Sequence, residues 1–304
     1  MFGVRTILAL ALLSMPAGAA QAGSSGAARI SVDVNLVVLH VTVRGRKGDF
    51  VSGLRKQDFH VTENGRPQTI RLFQHEDIPV SLGLVVDNSS SMGRIRRDVT
   101  EAALAFVRSS NPRDEIFIVN FNDRPSLGLP PEQLFSADPG ELRKALTSSP
   151  AHGMTALYDA LEDGLKHLER ASLEKKVLVV ISDGGDNASH HKLAQVLVDA
   201  AHTRTIVYTV GLFDEHDADQ NPGALKEIAK ATGGEVFLPT GSGEIAPICE
   251  RIAADIRHQY AIGYVPTDDM LDNTYRAVKV TVSGAHQGKL HVRTREGYIA
   301  SRQP

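Results

Sequence analysis

Four short apolar runs in this chain each stop at or just before an aspartate: 80–86 (VSLGLVV) before Asp87, 115–122 (EIFIVNFN) before Asp123, 176–182 (KVLVVIS) before Asp183, and 205–212 (TIVYTVGL) shortly before Asp214. Runs this short, β-branched and nearly free of polar groups read as strands covered on both faces, the pattern of a parallel sheet packed between helices. Between them apolar residues recur at helical spacing, as in Ile95, Val99, Ala103 and Phe106, or Leu157, Leu161, Leu165 and Leu168. Asp138, Pro139 and Glu141 carry the cap, first-turn and N3 signals of another helix. Further helices follow at Leu193, Val196, Leu197 and Ala200, at Leu225, Ile228 and Ala229, and at Ile245, Ile248, Ile252 and Ile256, with a last strand at 234–238. Strand and helix therefore alternate from Val80 to about His258. The fold class predicted is α/β, a doubly wound and mostly parallel sheet. Ligands of such sheets lie outside the carboxyl ends of the strands, where strand order reverses, and the aspartates gather on that edge.

The flanks differ. Residues 30–43 (ISVDVNLVVLHVTV) alternate in part, Phe59 and Val61 precede the turn signal Glu63-Asn64-Gly65-Arg66-Pro67, and Ile70, Leu72 and Phe73 read as the returning strand. After the closing helix, 260–265, 275–282 and 289–294 read as three strands, and the last four residues as a frayed end. Neither flank has enough strands to close a core alone, so 30–78 and 259–300 are expected to pair into a small β-sandwich around an α/β domain at 79–258.

Arg5, the apolar stretch 6–15 and Ala20-Gln21-Ala22 have the form of a secretory signal peptide at 1–22, followed by a Gly/Ser/Ala linker at 23–29. That predicts an exported protein, periplasmic or secreted, with no transmembrane segment in the mature chain, because no apolar stretch approaches ~20 residues. The single cysteine, Cys249, can form no internal disulfide and sits where a helix would bury it. A formal net charge of −3 offers no general attraction for nucleic acid.

The run that ends at Asp87 continues N-S-S-S-M, so Asp87, Ser89 and Ser91 place three hard oxygen ligands two residues apart in a loop. Hard divalent cations take such ligands, though Ser and Asp also serve as local caps. A Gly-hinged loop at 153–159 (GMTALYD) presents Thr155 just before a helix, and Asp183 sits in ISDGGDN at another strand end. These three pieces, D-x-S-x-S, then Thr, then Asp, resemble the metal-ion-dependent adhesion site (MIDAS) of von Willebrand factor type A (VWA) domains, and GMTALYDAL is similar to the bacterial secreted branch. The resemblance covers about residues 80–258. It implies a Rossmann-like VWA fold in which Asp87, Ser89 and Ser91 touch Mg²⁺ (or Mn²⁺ or Ca²⁺), with Thr155 direct or through water and Asp183 mostly through water.

Two carboxylates balance a divalent ion, but hydroxyls donate weakly, so the ion retains an appetite for one more anionic oxygen. An Asp or Glu carboxylate of a protein partner would supply it. The expected function is a divalent-cation-dependent protein-binding (adhesion or interaction) module, not an enzyme. A metal-stabilised structural or assembly protein of the cell envelope is the alternative, and a hydrolase the other. Against the hydrolase, Ser89 stands where an aspartate-nucleophile phosphotransferase needs its acid, and no G-x-S-x-G, Walker or H-E-x-x-H motif occurs. Asp87 is expected on a solvated loop, Asp123 and Asp214 as caps or loop residues, and His190 and His191 as solvated residues opening a helix.

Overall fold

The computed structural model describes residues 36–75, 77–213, 219–283 and 290–301. The expected signal peptide at 1–22, the linker at 23–29, the start of the first β segment and Asp214 lie outside the described residues. In chain order the elements are β1 (Val37–Arg44), β2 (Phe59–Glu63), β3 (Arg66–Gln68), β4 (Ile70–Gln74), β5 (Ser81–Asp87), α1 (Arg96–Ser109), β6 (Glu115–Phe121), β7 (Pro125–Leu127), α2 (Pro139–Thr147) and α3 (Leu157–Glu169). They continue with β8 (Lys176–Ser182), α4 (Leu193–Thr203), β9 (Ile206–Gly211), α5 (Pro222–Thr232), β10 (Val236–Phe237), α6 (Ile245–Arg257), β11 (Tyr260–Tyr264), β12 (Tyr275–Val282), β13 (His291–Arg293) and β14 (Gly297–Ile299).

The apolar runs build a six-stranded sheet in the order β10-β9-β8-β5-β6-β7, parallel except for the edge strand β7. All seven residues of β5 are buried, as a strand between two helical layers requires. Gly83 is needed there because any side chain at that point would collide with Phe117 and Leu178, which meet over the strand. β5 pairs in parallel with β8 from Ser81↔Lys176 to Val86↔Ile181 and with β6 from Ser81↔Glu115 to Asp87↔Phe121. Those registers bring the carboxyl ends of three strands to one level. The cap read at Asp138 forms, with its carboxylate accepting from Glu141 N and Pro139 in the first turn. Cys249 packs in the same core, and burial pushes its thiol up to about 12, so it stays protonated.

The remaining strands form two four-stranded antiparallel sheets, β13-β1-β11-β4 and β14-β12-β2-β3, whose inner faces share one core: the β-sandwich. Along β1, Val37, Leu39, Val41 and Val43 point into that core with Phe59, Ile70, Tyr260 and Tyr264. Asn64 and Gly65 both take positive φ (47° and 80°), the two-residue hairpin geometry that Asn-Gly favours. The returning strand, however, is β3, not the segment at Ile70, Leu72 and Phe73. Pairing with β2 stops at Gln68, and Ile70–Gln74 joins the opposite sheet against β11, where Ile70 is buried and Phe73 packs on Phe59 and Tyr260. Strand β14 adds a short pairing that the sequence did not show, and its Tyr298 OH joins Tyr264 OH in donating to buried Glu63, while 302–304 of the expected frayed end lie outside the described residues.

The face of β1 turned away from the sandwich core carries Thr42 and Arg44 to the α/β domain. There Asp255 of α6, fully buried, accepts from Arg44 Nη2 at 2.8 Å, Thr42 Oγ1 at 3.3 Å, Tyr208 OH at 2.5 Å, and Arg293 Nη2. Burial opposes ionisation of Asp255, but the two guanidinium groups and Tyr208 outweigh it and hold its carboxyl below the usual range.

A different carboxyl pair sits between α3 and α4. Glu162 is buried, and desolvation followed by the charge and hydrogen bond of Asp199 pushes it up to about 7, against a weaker pull from His191 and Lys166. The folded state thus holds a proton that the unfolded chain releases, so this pair's contribution to stability is full at acid pH and falls as pH rises from about 4.5 through about 7. We expect Glu162→Gln to flatten that fall. Urea unfolding at about pH 5 and about pH 8 reads it, and an unchanged difference between the two pH values would contradict the coupling.

Candidate functional site

Asp87 is the last residue of β5 and only 1 % exposed, so it lies at a buried strand end and not on a solvated loop. Its Oδ1 accepts from Ser89 N at 2.8 Å and its Oδ2 from Ser182 Oγ at 2.7 Å. Desolvation raises its carboxyl to about 6; the bonds from Ser89 and Ser182 oppose this, and the neighbouring charge of Asp183 adds to it. From Asp87 the chain turns back over the sheet edge. Ser89 Oγ lies 3.0 Å from Ser91 Oγ, and Ser91 Oγ donates to Asp183 Oδ2 at 2.8 Å. Depth grades across the group, from buried Asp87, Ser89 and Asp183 to exposed Ser91 at the mouth.

Thr155 is reached through a second loop. Ser90 binds Gly153 O through both N (3.2 Å) and Oγ (3.1 Å), and His152 N donates to Asn88 O at 2.9 Å. Thr155 N donates to Asn187 Oδ1 at 2.9 Å, while Asn187 N and Ala188 N return bonds to Thr155 O. The Thr155 hydroxyl, on a residue only 6 % exposed, makes no hydrogen bond among the described residues. The structure therefore links Asp87, Ser89, Ser91 and Asp183 by side-chain and loop hydrogen bonds, and ties the loop of Thr155 to the same edge through Ser90 and Asn187.

Sequence reading missed the supports. Ser182 fixes one oxygen of Asp87; Asn122 O accepts from Ala156 N; and Asp123, read as a cap, instead accepts from Met154 N at 2.8 Å and braces the Thr155 loop. The signal for Asp123 was its place after a strand, which says where it stands but not which loop it holds. Asp159 accepts backbone and ring bonds from His190 and His191 ahead of α4; the His190 side chain is exposed, as expected of a solvated residue, and His191 is the half-buried one of the two. Burial opposes ionisation of Asp159, but these bonds win and hold its carboxyl well below the usual range.

The donor set can be tested against a metal by its spacing. An octahedral ion with bonds of about 2.1 Å has neighbouring ligands about 3.0 Å apart. The Ser89–Ser91 and Ser91–Asp183 oxygen separations, 3.0 and 2.8 Å, match that edge. A buried carboxylate beside a second one is also a place where a cation relieves electrostatic cost. Among the described residues no three His, Cys, Asp or Glu side chains converge as a metal cage, so any ion here depends on hydroxyls as well as the two carboxylates. The residues fit a hard divalent cation.

The fold is that of von Willebrand factor type A domains: a doubly wound, mostly parallel α/β sheet, here joined to a sandwich. Residues 82–185 match the family model for the von Willebrand factor type A domain, a stretch that includes Asp87, Ser89, Ser91, Thr155 and Asp183. No curated protein sequence matches the chain. Among solved structures, the chain is similar to a von Willebrand factor type A protein from Catenulispora acidiphila at 12% identity, covering 88% of this chain and 72% of that one with a TM-score of 0.54. Proximal thread matrix protein 1 of the mussel byssus aligns at 16% identity over 62% of this chain and 49% of its own, TM-score 0.52. The vWF domain of the type V pili tip protein Mfa5 from Porphyromonas gingivalis aligns at 13% identity over 59% and 95%, TM-score 0.50.

Gly153 has φ +83°, and a Cβ there would lie 2.5 Å from Asp123 Oδ2. We expect Gly153→Ala to destabilise the protein by about 1–3 kcal/mol. Adding Asp123→Ala should recover only the steric part, since the strained φ remains. Urea denaturation of the two variants checks this, and a neutral Gly153→Ala would mean that the loop is not held in place.

Proposed function

We propose that this protein is a divalent-cation-dependent protein-binding module in which Asp87, Ser89, Ser91, Thr155 and Asp183 hold Mg²⁺, or Mn²⁺ or Ca²⁺ in its place. The observation that carries the reading is the run of oxygens from Ser89 through Ser91 to Asp183, at octahedral-edge spacing beside the Asp87 carboxylate on the carboxyl edge of the sheet. The ion, when bound, supplies an electrophilic point that a partner's Asp or Glu carboxylate can complete. The protein's own residues do the rest: Ser182 and Ser89 N orient Asp87, Gly185 N orients Asp183 at 2.9 Å, and Ser90 holds the Thr155 loop against the serine loop. Because direct hydrogen bonds already join these loops, ordering them is a weaker rationale for a metal than binding a partner. Among the described residues the site's serine hydroxyls pair with carboxylates, Ser91 with Asp183 and Ser182 with Asp87, and with no histidine or lysine base, which disfavours a hydrolase.

The test is calorimetric titration of Mg²⁺ into wild type, Asp87→Asn and Asp183→Ala. Asp87→Asn preserves an acceptor for Ser89 N or Ser182 Oγ, so lost binding reports lost charge and not a collapsed loop. We expect at least about a tenfold loss, or about 1.4 kcal/mol, for Asp87→Asn and a smaller one for Asp183→Ala. Partner capture should be abolished by chelator. Equal Mg²⁺ affinity in all three proteins, or capture indifferent to chelator, sinks the reading.

Export belongs to the same proposal and rests on Arg5, the apolar residues 6–15 and the small residues Ala20 and Ala22. Among the described residues no helix is long and apolar enough to cross a membrane. N-terminal sequencing of the exported protein should begin near Gly23; a chain retaining residues 1–22 would contradict export by cleavage.

A further inference from the structure

The junction of sandwich and α/β domain opens into a cavity of about 390 Å³, lined by Arg44, Arg46, Glu235, His291 and Arg293 among others. Its chemistry follows from strand register. β1 and β13 pair with Thr42 opposite Arg293 and Arg44 opposite His291, so a period of two places all four on the face turned from the sandwich core. The turn after β1, closed by Gly48 at φ +86° and by Gly48 N donating to Gly45 O, carries Arg46 to the same cavity. Counting Arg251, which binds Glu235 at 2.8 Å, and Asp49, whose carboxylate lies against Gly45 of the lining, four guanidinium groups stand here against three carboxylates, Glu235, Asp255 and Asp49.

That excess of positive charge is not spent inside the protein. Arg44, only 9 % exposed, is stacked on Phe50 with two of its nitrogens on Asp255 and Glu235, so it builds the cavity wall and leaves the more open arginines to meet a ligand. Arg46 is exposed and makes no hydrogen bond or ion pair among the described residues. Guanidinium forks match the oxygens of phosphate and carboxylate groups, and a surplus of positive charge over the carboxylates present suits an oxyanion.

We propose that this cavity binds a compact phosphate group, free or esterified to a small molecule, through Arg46 and the Arg293–His291 edge, independently of the metal site. The experiment is calorimetric titration of the full chain, in chloride buffer, with inorganic phosphate and separately with glycerol 3-phosphate. Arg46→Glu is the probing variant, since its side chain is exposed on a turn and supports no other residue. Arg113→Glu makes the same charge change at an exposed site elsewhere. Wild type and Arg113→Glu should bind equally, and Arg46→Glu at least tenfold more weakly, while Mg²⁺ affinity stays the same in all three. Tighter binding of glycerol 3-phosphate marks an esterified ligand, and equal binding marks phosphate alone; both support the site. No binding of either probe, or equal weakening by Arg113→Glu, overturns it, and neither result touches the metal-site reading.

Discussion

The parallel register of β5 against β8 is the constraint on which the site depends. With Val86 opposite Ile181, the two strands end side by side, and Ser182 can reach Asp87 while the next residue, Asp183, reaches Ser91. A slip of one residue would turn the apolar face of either strand toward the wrong helical layer, which a sheet buried on both sides cannot absorb. The hydrophobic core that fixes the register therefore also fixes the positions of the two carboxylates. β6 extends the same arrangement: Asn88 N donates to Phe121 O and Asn88 Nδ2 to Asn120 Oδ1, which pins the first turn of the serine loop to the neighbouring strand.

What could be read from sequence tracks how local each determinant is. The strands and helices of the α/β sheet were visible because burial on both faces writes an uninterrupted apolar run and an amphipathic helix writes a 3.6 period. Asp87, Ser89 and Ser91 were visible because they are two residues apart. Ser182, Asn187 and the bracing role of Asp123 were not, because each acts on a residue far away in sequence, and a single serine or asparagine carries no periodic signal. The sheet switch at Thr69 escaped for another reason: Gln68 and Ile70 look like one strand when only alternation is read, and nothing local says that the second half pairs with β11. Strands of three residues such as β7 and β14 are too short to show a period at all. The burial of Asp87 ran against the expected solvated loop because the loop begins one residue later than the charge.

Asp255 shows how the two halves of the structure are locked. A carboxylate with no exposure is a liability unless its oxygens are filled, and here Arg44 from β1, Arg293 from β13, Tyr208 from β9 and Thr42 fill them. Such a buried arrangement gives little net stability against an apolar alternative, but removing one partner leaves a charge stranded, at about 3–5 kcal/mol. The network is therefore better understood as fixing geometry than as adding stability. It specifies which face of β1 meets α6, and through β13 it holds the edge of the sandwich at a set height above the sheet.

The route of the chain through this lock bears on the order of assembly. β1 pairs with β11, and β2 with β12, across the whole α/β sheet in sequence. Where the chain enters and leaves that sheet, Arg257 binds Asp77 at 3.0 Å and His75 stacks on Tyr260 at 4.1 Å. Before the sheet exists, bringing β1 to β11 closes a loop of roughly 220 residues; once it has folded, the effective loop is on the order of ten, a difference of about 3 kcal/mol in closure entropy. The sandwich is thus a late structure whose first half emerges early from synthesis, with strand edges open, and waits for the parallel sheet to deliver its partners.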